Sequence, residues 1–599
     1  ASDVYKRQML AMSFCVLGDT YLFGKNTHFI YIIIVTLSIL LSLIFRPSLS
    51  TIASKFGIII ISLAVFAVAF VDQNFQYEAY HQGFFLGPVL DLINGRSPLV
   101  NINAQYGVGI LYGFSVLFGM SSDNVTFSYF SRMLGVVDLI YPLIFILILL
   151  PIVNNRILSA LCVACGNLIY HSNPDSGLLP QMFPSTGAFR FAIGYLPIIA
   201  YLYISNRKTY ITINSIIIVI FITWSLESAL SLLISSIMIM FVTEYITGIK
   251  SWRPVVVTCL YICSGIFGWG LLSAVTYIRA GNYPELAHYL EFTALYGGGF
   301  GWVSPGLHAA WSLYGLLIAF ALLFAIIMRS RFQSNHPIIP LKSQQMITVL
   351  VTISLISFAQ GAYYVYRAHT SNLYHILWPS LVIGYILIDA MIYEKSSTQM
   401  SRYGAISFLL GFSIYSGHKT IDYVEQLPYT LLGKTIRLSG ILIASDDLEY
   451  LMKEDKLYKS NYLLTDRDLE LHEYFLSHQD TEKEIALFVS EESLLRSRLG
   501  TKINNKIASS FLPQDEIVPI GRNMMYESLK SLNNNENIVI ALNSLKSPGL
   551  LPGLVIELCK NKTGIVTTIS NHFAYVKIAD IESGGAGICE QIWRYYNDN

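Results

Sequence analysis

Long apolar runs dominate this chain of 599 residues. From Thr27 to about Gly417, one stretch after another is long enough for a membrane-crossing helix, which takes about 20 mostly apolar residues. Charged residues make up 13% of the chain and the mean hydropathy is +0.51, whereas a soluble domain carries about 25% charged residues. These features exclude a soluble globular enzyme and predict an α-helical polytopic membrane protein.

The uneven distribution of charge divides the chain into parts. Residues 1–8, ASDVYKRQ, resemble translated sequencing-adapter sequence, and we set them aside from the fold. Residues 9–418 are predicted to form the transmembrane domain, with a large first outer loop at 72–106. Residues 419–599 have the charge content of soluble proteins, and their runs IALFVS and NIVIAL are typical of strands, so they predict a small C-terminal α/β domain. The net charge is zero and no basic run occurs, so no nucleic-acid partner is expected.

The apolar runs predict about 12 to 13 transmembrane helices. We place spans near 27–45, 56–71, 130–151, 157–171, 189–204, 210–225, 227–246, 254–277, 307–328, 345–362, 373–392 and 403–417. A further apolar stretch at 106–120 is about 15 residues long and contains four glycines. We interpret it as a re-entrant or interfacial helix that does not cross.

Lysine and arginine concentrate in alternate short loops, which orients the helices. One set of loops holds Arg46, Lys55, Arg156, Arg207, Lys208, Lys250, Arg253, Arg329, Arg331, Lys342, Lys395 and Arg402. Because positive charge is retained on the cytoplasmic side, this set is predicted to be cytoplasmic. The long aromatic loops and the C-terminal domain are then extracytoplasmic.

The predicted outer face collects groups that are suited to chemistry. Carboxylates near an imidazole suit proton abstraction from a hydroxyl or binding of a divalent metal, and arginines at a bilayer suit a lipid phosphate. The candidates there are Asp72, Glu78, His81, Arg190, Glu227, Arg279 and Arg367. Each also has a plain structural interpretation: a solvated helix cap, a surface pair, a headgroup contact or a snorkelling arginine.

Several motifs on this face resemble those of polytopic GT-C-type glycosyltransferases. The first outer loop has an acidic residue, a histidine three positions on, and finally a QYG that opens an apolar helix: Glu78, His81, Gly83, Pro88, Leu92, Gly95 and Gln105-Tyr106-Gly107. YRAHTSNL supplies Arg367, His369, Asn372 and Leu373, and GAFRFAIG and WSLES are weaker elements. Related loops often read His-His-Asp-Gly, whereas this one reads Tyr80-His81-Gln82-Gly83, which puts a metal site with two carboxylates in this motif in doubt.

The resemblance implies a sugar donor on polyprenyl phosphate and transfer to a hydroxyl of a glycan, lipid or protein acceptor, with inversion, at the outer face of a bacterial inner membrane. It also implies a catalytic Asp or Glu in the large outer loop. Glu78 occupies the acidic position of the pattern, so we rank it as the first catalytic candidate, ahead of Asp72 and Glu227. The substrate-binding candidates are His81, Gln105, Tyr106, Arg190, Arg279, Arg367, His369 and Asn372. A divalent metal, Mg²⁺ or Mn²⁺, is left open.

Two other functions compete with this one: a transporter or flippase for a lipid-linked glycan, and an O-antigen polymerase or ligase. A transporter binds its substrate near the midplane and carries ionisable residues there, often in repeated halves. The apolar runs show Asp138 and Glu244 but no repeat. A polymerase or ligase relies more on outer arginines and a histidine than on a carboxylate, so Glu78 and Asp72 favour the glycosyltransferase.

Overall fold

A computed structural model of the chain describes residues 83–102, 104–118, 127–154, 187–247, 251–297, 341–366 and 378–393, with short pieces between 159 and 163, between 315 and 326, and between 470 and 591. In the first part the described elements are mainly helical. They are α1 Gly83–Ile93, α2 Val108–Leu117, α3 Phe127–Ile152, α4 Ala188–Phe191, a 3₁₀ turn Ala192–Tyr195, α5 Leu196–Tyr203, α6 Arg207–Phe221, α7 Leu226–Thr247, α8 Arg253–Ala280, α9 Leu286–Gly297, α10 Leu341–Tyr366 and α11 Trp378–Tyr393.

Seven of the twelve predicted spans are confirmed as helical segments within these ranges. They are the spans at 130–151, 189–204, 210–225, 227–246, 254–277, 345–362 and 373–392. Three described stretches are long and apolar enough to cross a membrane: Leu226–Thr247, Arg253–Ala280 and Leu341–Gly361. The predicted spans 27–45, 56–71 and 403–417 lie outside the described residues, as do most of 157–171 and 307–328.

The apolar stretch at 106–120 contains the short helix α2. A helix of 10 residues is about 15 Å long, half the thickness of the hydrocarbon core. This length agrees with a re-entrant or interfacial helix.

The predicted span at 189–204 is not one regular helix. A 3₁₀ turn interrupts it, where Gly194 lies against α7. A Cβ at Gly194 would lie 2.4 Å from the Cβ of Ser231, so this crossing requires a residue without a side chain. Small residues let helices approach closely in a membrane, where packing drives association.

An aromatic cluster fills the interior between α3, the 3₁₀ turn, α10 and α11. The rings of Phe145 and Trp378 stack with centroids 5.1 Å apart, and Tyr195 packs edge-on against Phe145 at 5.0 Å. The hydroxyl of Tyr195 donates to Oε1 of Gln360 at 2.9 Å, so one polar tip in this apolar interior is paired. The cluster fixes the 3₁₀ turn, and therefore the chain just before it, against α10.

Polar contacts tie one set of helix ends together. The backbone N–H and the side-chain amide of Asn154, after α3, donate to Oδ2 of Asp389 in α11 at 2.8 and 3.0 Å, and Lys342 Nζ, in α10, donates to Asn154 Oδ1 at 2.5 Å. Arg207 at the start of α6 pairs with Glu244 in the last turn of α7, and the hydroxyl of Ser251 donates to Glu244 at 2.5 Å.

These bonds bring together loops that all belong to the predicted cytoplasmic set. Asp389, which also lies in an apolar run, is a buried carboxylate that was not predicted from the sequence. Its partners at the helix end explain how a carboxylate is tolerated there.

Labelling of single cysteines tests the predicted membrane sides. A membrane-impermeant maleimide added from outside should react at Asn103→Cys, Ser176→Cys and Asn535→Cys, and should leave Asn206→Cys and Ser334→Cys unlabelled until the membrane is permeabilised. In the parent protein the native cysteines are replaced by serine, and this parent protein is the unlabelled control. Labelling of Asn206→Cys in intact cells would reverse the orientation.

The C-terminal part contains a five-stranded sheet. Its strands are β1 Glu484–Phe488, β2 Asn504–Asn505, β3 Asn537–Ala541, β4 Gly564–Ile569 and β5 Phe573–Ile578. The order is β2-β1-β3-β5-β4, with β1 parallel to β2 and β3, and β5 antiparallel to β3 and β4. The strands predicted at IALFVS and NIVIAL are confirmed. That 419–599 form one extracytoplasmic domain stays a prediction.

Candidate functional site

Arg190 and Glu227 form an ion pair where α4 meets the start of α7. Nη2 of Arg190 donates to Oε1 of Glu227. Glu227 occupies the first turn of α7, where the positive end of the helix dipole favours an anion. The two residues are 37 positions apart, so the fold, and not local sequence, brings them together.

A second set of bonds locks the two backbones at this point. The hydroxyls of Ser225 and Ser228 both donate to the carbonyl oxygen of Arg190, the former at 3.3 Å. The indole N–H of Trp224 donates to the carbonyl of Phe189 at 2.7 Å. Ser225 also accepts from the N–H of Ser228 at 3.1 Å, which caps α7. The motifs GAFR and WSLES therefore form one interlocked unit.

The QYG motif joins the same unit from the first outer loop. The guanidinium carbon of Arg190 lies 5.3 Å from the ring centroid of Tyr106, within cation–π distance, and Tyr106 stacks on Phe85 of α1 at 5.5 Å. Gln105 lies beside Tyr106 in the turn that precedes α2. Three motifs of the resemblance thus meet at Arg190.

Glycines allow α2 to approach the α6–α7 turn. A Cβ on Gly107 would lie 1.7 Å from the carbonyl oxygen of Trp224, and Cβ atoms on Gly109 and Gly113 would lie 2.8 and 2.9 Å from Trp224 atoms. The N–H of Gly109 donates to the carbonyl of Thr223 at 2.7 Å. Trp224 is therefore clamped between α2 and Phe189, whose ring lies 5.7 Å away.

Tyr289 of α9 brings the predicted outer segment at 279–306 to the ion pair. Its phenol is buried and hydrogen-bonded to the backbone of Leu226, and it interacts electrostatically with Glu227 and Arg190. Burial raises the pKa of Tyr289 well above its ordinary value, and the negative charge of Glu227 raises the pKa further. Tyr289 therefore stays protonated and presents a hydroxyl at this site.

Arg279 has a different position from Arg190. It lies in the last turn of α8, and its Nη2 donates to the carbonyl of Leu92 at 2.7 Å. The N–H of Glu285 donates to the carbonyl of Leu99 at 2.7 Å. Arg279 and Glu285 thus fasten the predicted outer segment at 279–306 to the first outer loop.

Within the first outer loop, Asp91 is fully buried and accepts from Arg96 at 2.9 Å. This pair, together with Tyr289 and Trp224, was not predicted as part of the site. The spacing of Asp91 and Arg96 over five residues in LDLINGR was the available sequence signal for the pair.

Six of the predicted site residues lie outside the described residues: Asp72, Glu78, His81, Arg367, His369 and Asn372. Among the residues that the structure describes, no three His, Cys, Asp or Glu side chains are grouped as a metal ion would require. Of the three predicted catalytic carboxylates, Glu227 is the one that the structure describes, and its pairing with Arg190 opposes a cation there. Whether a divalent metal binds is left open, because Glu78 and His81 lie outside the described residues.

Comparison with known proteins finds no matching family model and no matching curated protein. A search of solved structures finds the archaeal oligosaccharyltransferase AglB from Archaeoglobus fulgidus, in complex with an inhibitory peptide and a dolichol-phosphate, at a TM-score of 0.31 and 12% identity, over 89% of this chain and 75% of that one. The Archaeoglobus fulgidus oligosaccharyltransferase in complex with Zn and sulfate gives a TM-score of 0.31 and 11% identity, over 87% and 73%. Likenesses of this size assign neither a fold nor an activity to this chain.

Proposed function

We propose that this protein is a membrane glycosyltransferase that moves a sugar from a polyprenyl-phosphate donor to an acceptor hydroxyl on the extracytoplasmic face. One observation supports it most: three motifs of the resemblance, around positions 106, 190 and 227, converge at one point. That point has a buried cation, a carboxylate and two tyrosines, which are groups that bind phosphates and hydroxyls.

The proposed reaction needs a proton acceptor. The acceptor hydroxyl attacks the anomeric carbon of the sugar, the bond from that carbon to the phosphate oxygen breaks, and polyprenyl phosphate leaves with the bond's electron pair. The hydroxyl proton passes to a carboxylate. We propose Glu78 for this role, with Asp72 as the next candidate. Glu227 ranks third because a carboxylate that is paired with an arginine is a poor proton acceptor.

The positions of the buried charges favour an enzyme over a transporter. Within the described residues, the buried Glu244 and Asp389 are both held at helix ends by Arg207 and Asn154. A transporter would instead keep such groups near the midplane, where they would bind the substrate or a coupling ion.

Arg367 provides a test of the donor site. We expect Arg367→Ala to weaken use of the polyprenyl-phosphate donor by about 1–3 kcal/mol, because a charge-assisted hydrogen bond to phosphate is lost. The measurement is kcat/KM for donor cleavage in detergent. Arg331→Ala, in a loop of the predicted cytoplasmic set, is the matched control and should leave kcat/KM unchanged. Unchanged donor kinetics in Arg367→Ala would remove this residue from the site.

A further inference from the structure

Helix α7 carries a glutamate in an ion pair with an arginine at each end, and the two pairs are built in opposite ways. In the pair at the start of α7, the arginine is the buried partner: the side chain of Arg190 is 10% exposed and that of Glu227 is 30% exposed. At the other end, Glu244 is 4% exposed and Arg207 is 36% exposed. The outward-facing group is therefore an anion at one end and a cation at the other.

Arg190 is held in place by more than its glutamate. Its guanidinium lies over the rings of Tyr106 and Phe191, with distances of 5.3 and 5.7 Å to their centroids. Its backbone carbonyl accepts from Ser225 and Ser228. These contacts do not involve the carboxylate of Glu227, so Arg190 can keep its position when that carboxylate moves away.

Glu244 is more deeply buried than Glu227. In addition to Arg207, it accepts a hydrogen bond from the hydroxyl of Ser251 at 2.5 Å, and it is almost completely buried. A carboxylate with two donors and little exposure does not readily exchange its partner. The pair at the start of α7 is arranged in the opposite way, with a partly exposed carboxylate over a buried guanidinium.

We propose that Glu227 occupies the phosphate position on Arg190 in the resting protein, and that the phosphate of the lipid donor replaces it. An anion that approaches Arg190 meets the carboxylate of Glu227 first, and two anions on one guanidinium repel each other. The start of α7 favours an anion in either state, because the positive end of the helix dipole lies there. The displaced carboxylate is then available to accept a hydrogen bond from a hydroxyl of the bound sugar. This exchange rests on the proposed function, since its ligand is the polyprenyl phosphate.

The exchange and a purely supporting role for Glu227 predict opposite changes in lipid affinity when Glu227 is replaced. Glu227→Gln removes the competing charge, so undecaprenyl phosphate should bind at least about threefold more tightly. If Glu227 instead orients Arg190 for the ligand, the same substitution weakens binding. Arg190→Gln should weaken binding by about tenfold or more, because the charged donor is lost. The matched control, Glu244→Gln, should leave the affinity unchanged.

The probes are undecaprenyl phosphate, undecaprenol and inorganic phosphate, with binding to the protein in detergent measured by native mass spectrometry. Undecaprenol has no charge, so its affinity should be the same for the wild type and Glu227→Gln. Inorganic phosphate should bind at least about tenfold more weakly than the lipid, because it has no chain to bury; equal affinity would assign the position to free phosphate and overturn the lipid exchange.

A measurement on the wild type covers the case in which Glu227→Gln fails to fold. Carbodiimide labelling of Glu227, followed by peptide mass spectrometry, should increase when undecaprenyl phosphate is added, because the carboxylate loses its arginine. Glu244 should not change. Reduced labelling of Glu227, or weaker lipid binding by a folded Glu227→Gln protein, would overturn the exchange and leave the glycosyltransferase proposal intact. Absence of lipid binding by the wild type would defeat both.

Discussion

Glu78→Gln is expected to lower the rate of sugar transfer by at least about 100-fold, the usual scale for loss of a general base. The amide keeps the size and the hydrogen-bonding capacity of the side chain but cannot take the proton of the acceptor hydroxyl. Glu78 lies in the predicted first outer loop, with His81 three residues on, where a helix would place both on one face. Expression and affinity for undecaprenyl phosphate should be unchanged.

Matched variants show which carboxylate is responsible. Asp72→Asn tests the second candidate, and Glu285→Gln changes an exposed carboxylate whose backbone N–H contacts the first outer loop. We expect near-normal turnover for Glu285→Gln. If Glu78→Gln turns over normally and Asp72→Asn is inactive, the site is correctly placed in the first outer loop and the general base is Asp72. If both are active, the glycosyltransferase proposal gives way to transport.

Gly107→Ala is expected to destabilise the protein by roughly 2–5 kcal/mol, the sum of overpacking and backbone strain. The added Cβ would lie 1.7 Å from the carbonyl oxygen of Trp224, and backbone cannot move aside as a side-chain tip can. The φ angle of 124° at Gly107 adds strain for any other residue. Because this approach places Tyr106 on Arg190, lipid binding should weaken together with stability.

Gly270→Ala is the control for this substitution. Gly270 lies in α8, and a Cβ there would have no atom within 4 Å. Alanine is also the better helix former, so the melting temperature should stay the same or rise slightly. The measurement is the melting temperature of both variants in detergent, followed by tryptophan fluorescence. A Gly107→Ala protein as stable as the wild type would show that α2 does not pack against the α6–α7 turn as described.

The long apolar helices of the described part were predictable because one strong requirement governs such runs. A chain that crosses hydrocarbon must bond its backbone internally over a fixed length, so long apolar runs predict helices. The prediction at 227–246 differs from α7, Leu226–Thr247, by one residue at each end. Ser225 and Glu227 are a cap and a first-turn acid, the signals of a helix start.

The arrangement of the site was only partly predictable. Arg190, Glu227 and Tyr106 were predicted as site residues from motifs. Their contact joins segments that are distant in sequence, so no local sequence pattern predicts it. Tyr289 was not predicted because one tyrosine in an aromatic outer segment resembles an ordinary interfacial residue. The 3₁₀ turn before α5 was not predicted either, because it depends on the approach of Ser231 to Gly194.

Cleavage and movement of the lipid-linked sugar, followed separately in vesicles, test the proposed function most directly. The protein is reconstituted in vesicles with a panel of polyprenyl phosphates that carry radiolabelled sugars. The donor is placed in the outer leaflet, on the side of the membrane to which labelling of Asn535→Cys assigns the C-terminal part. We expect one donor to lose its sugar and yield polyprenyl phosphate, and we expect this reaction to be far slower with Glu78→Gln. Movement of an intact lipid-linked sugar between leaflets, without cleavage of any donor, would contradict it.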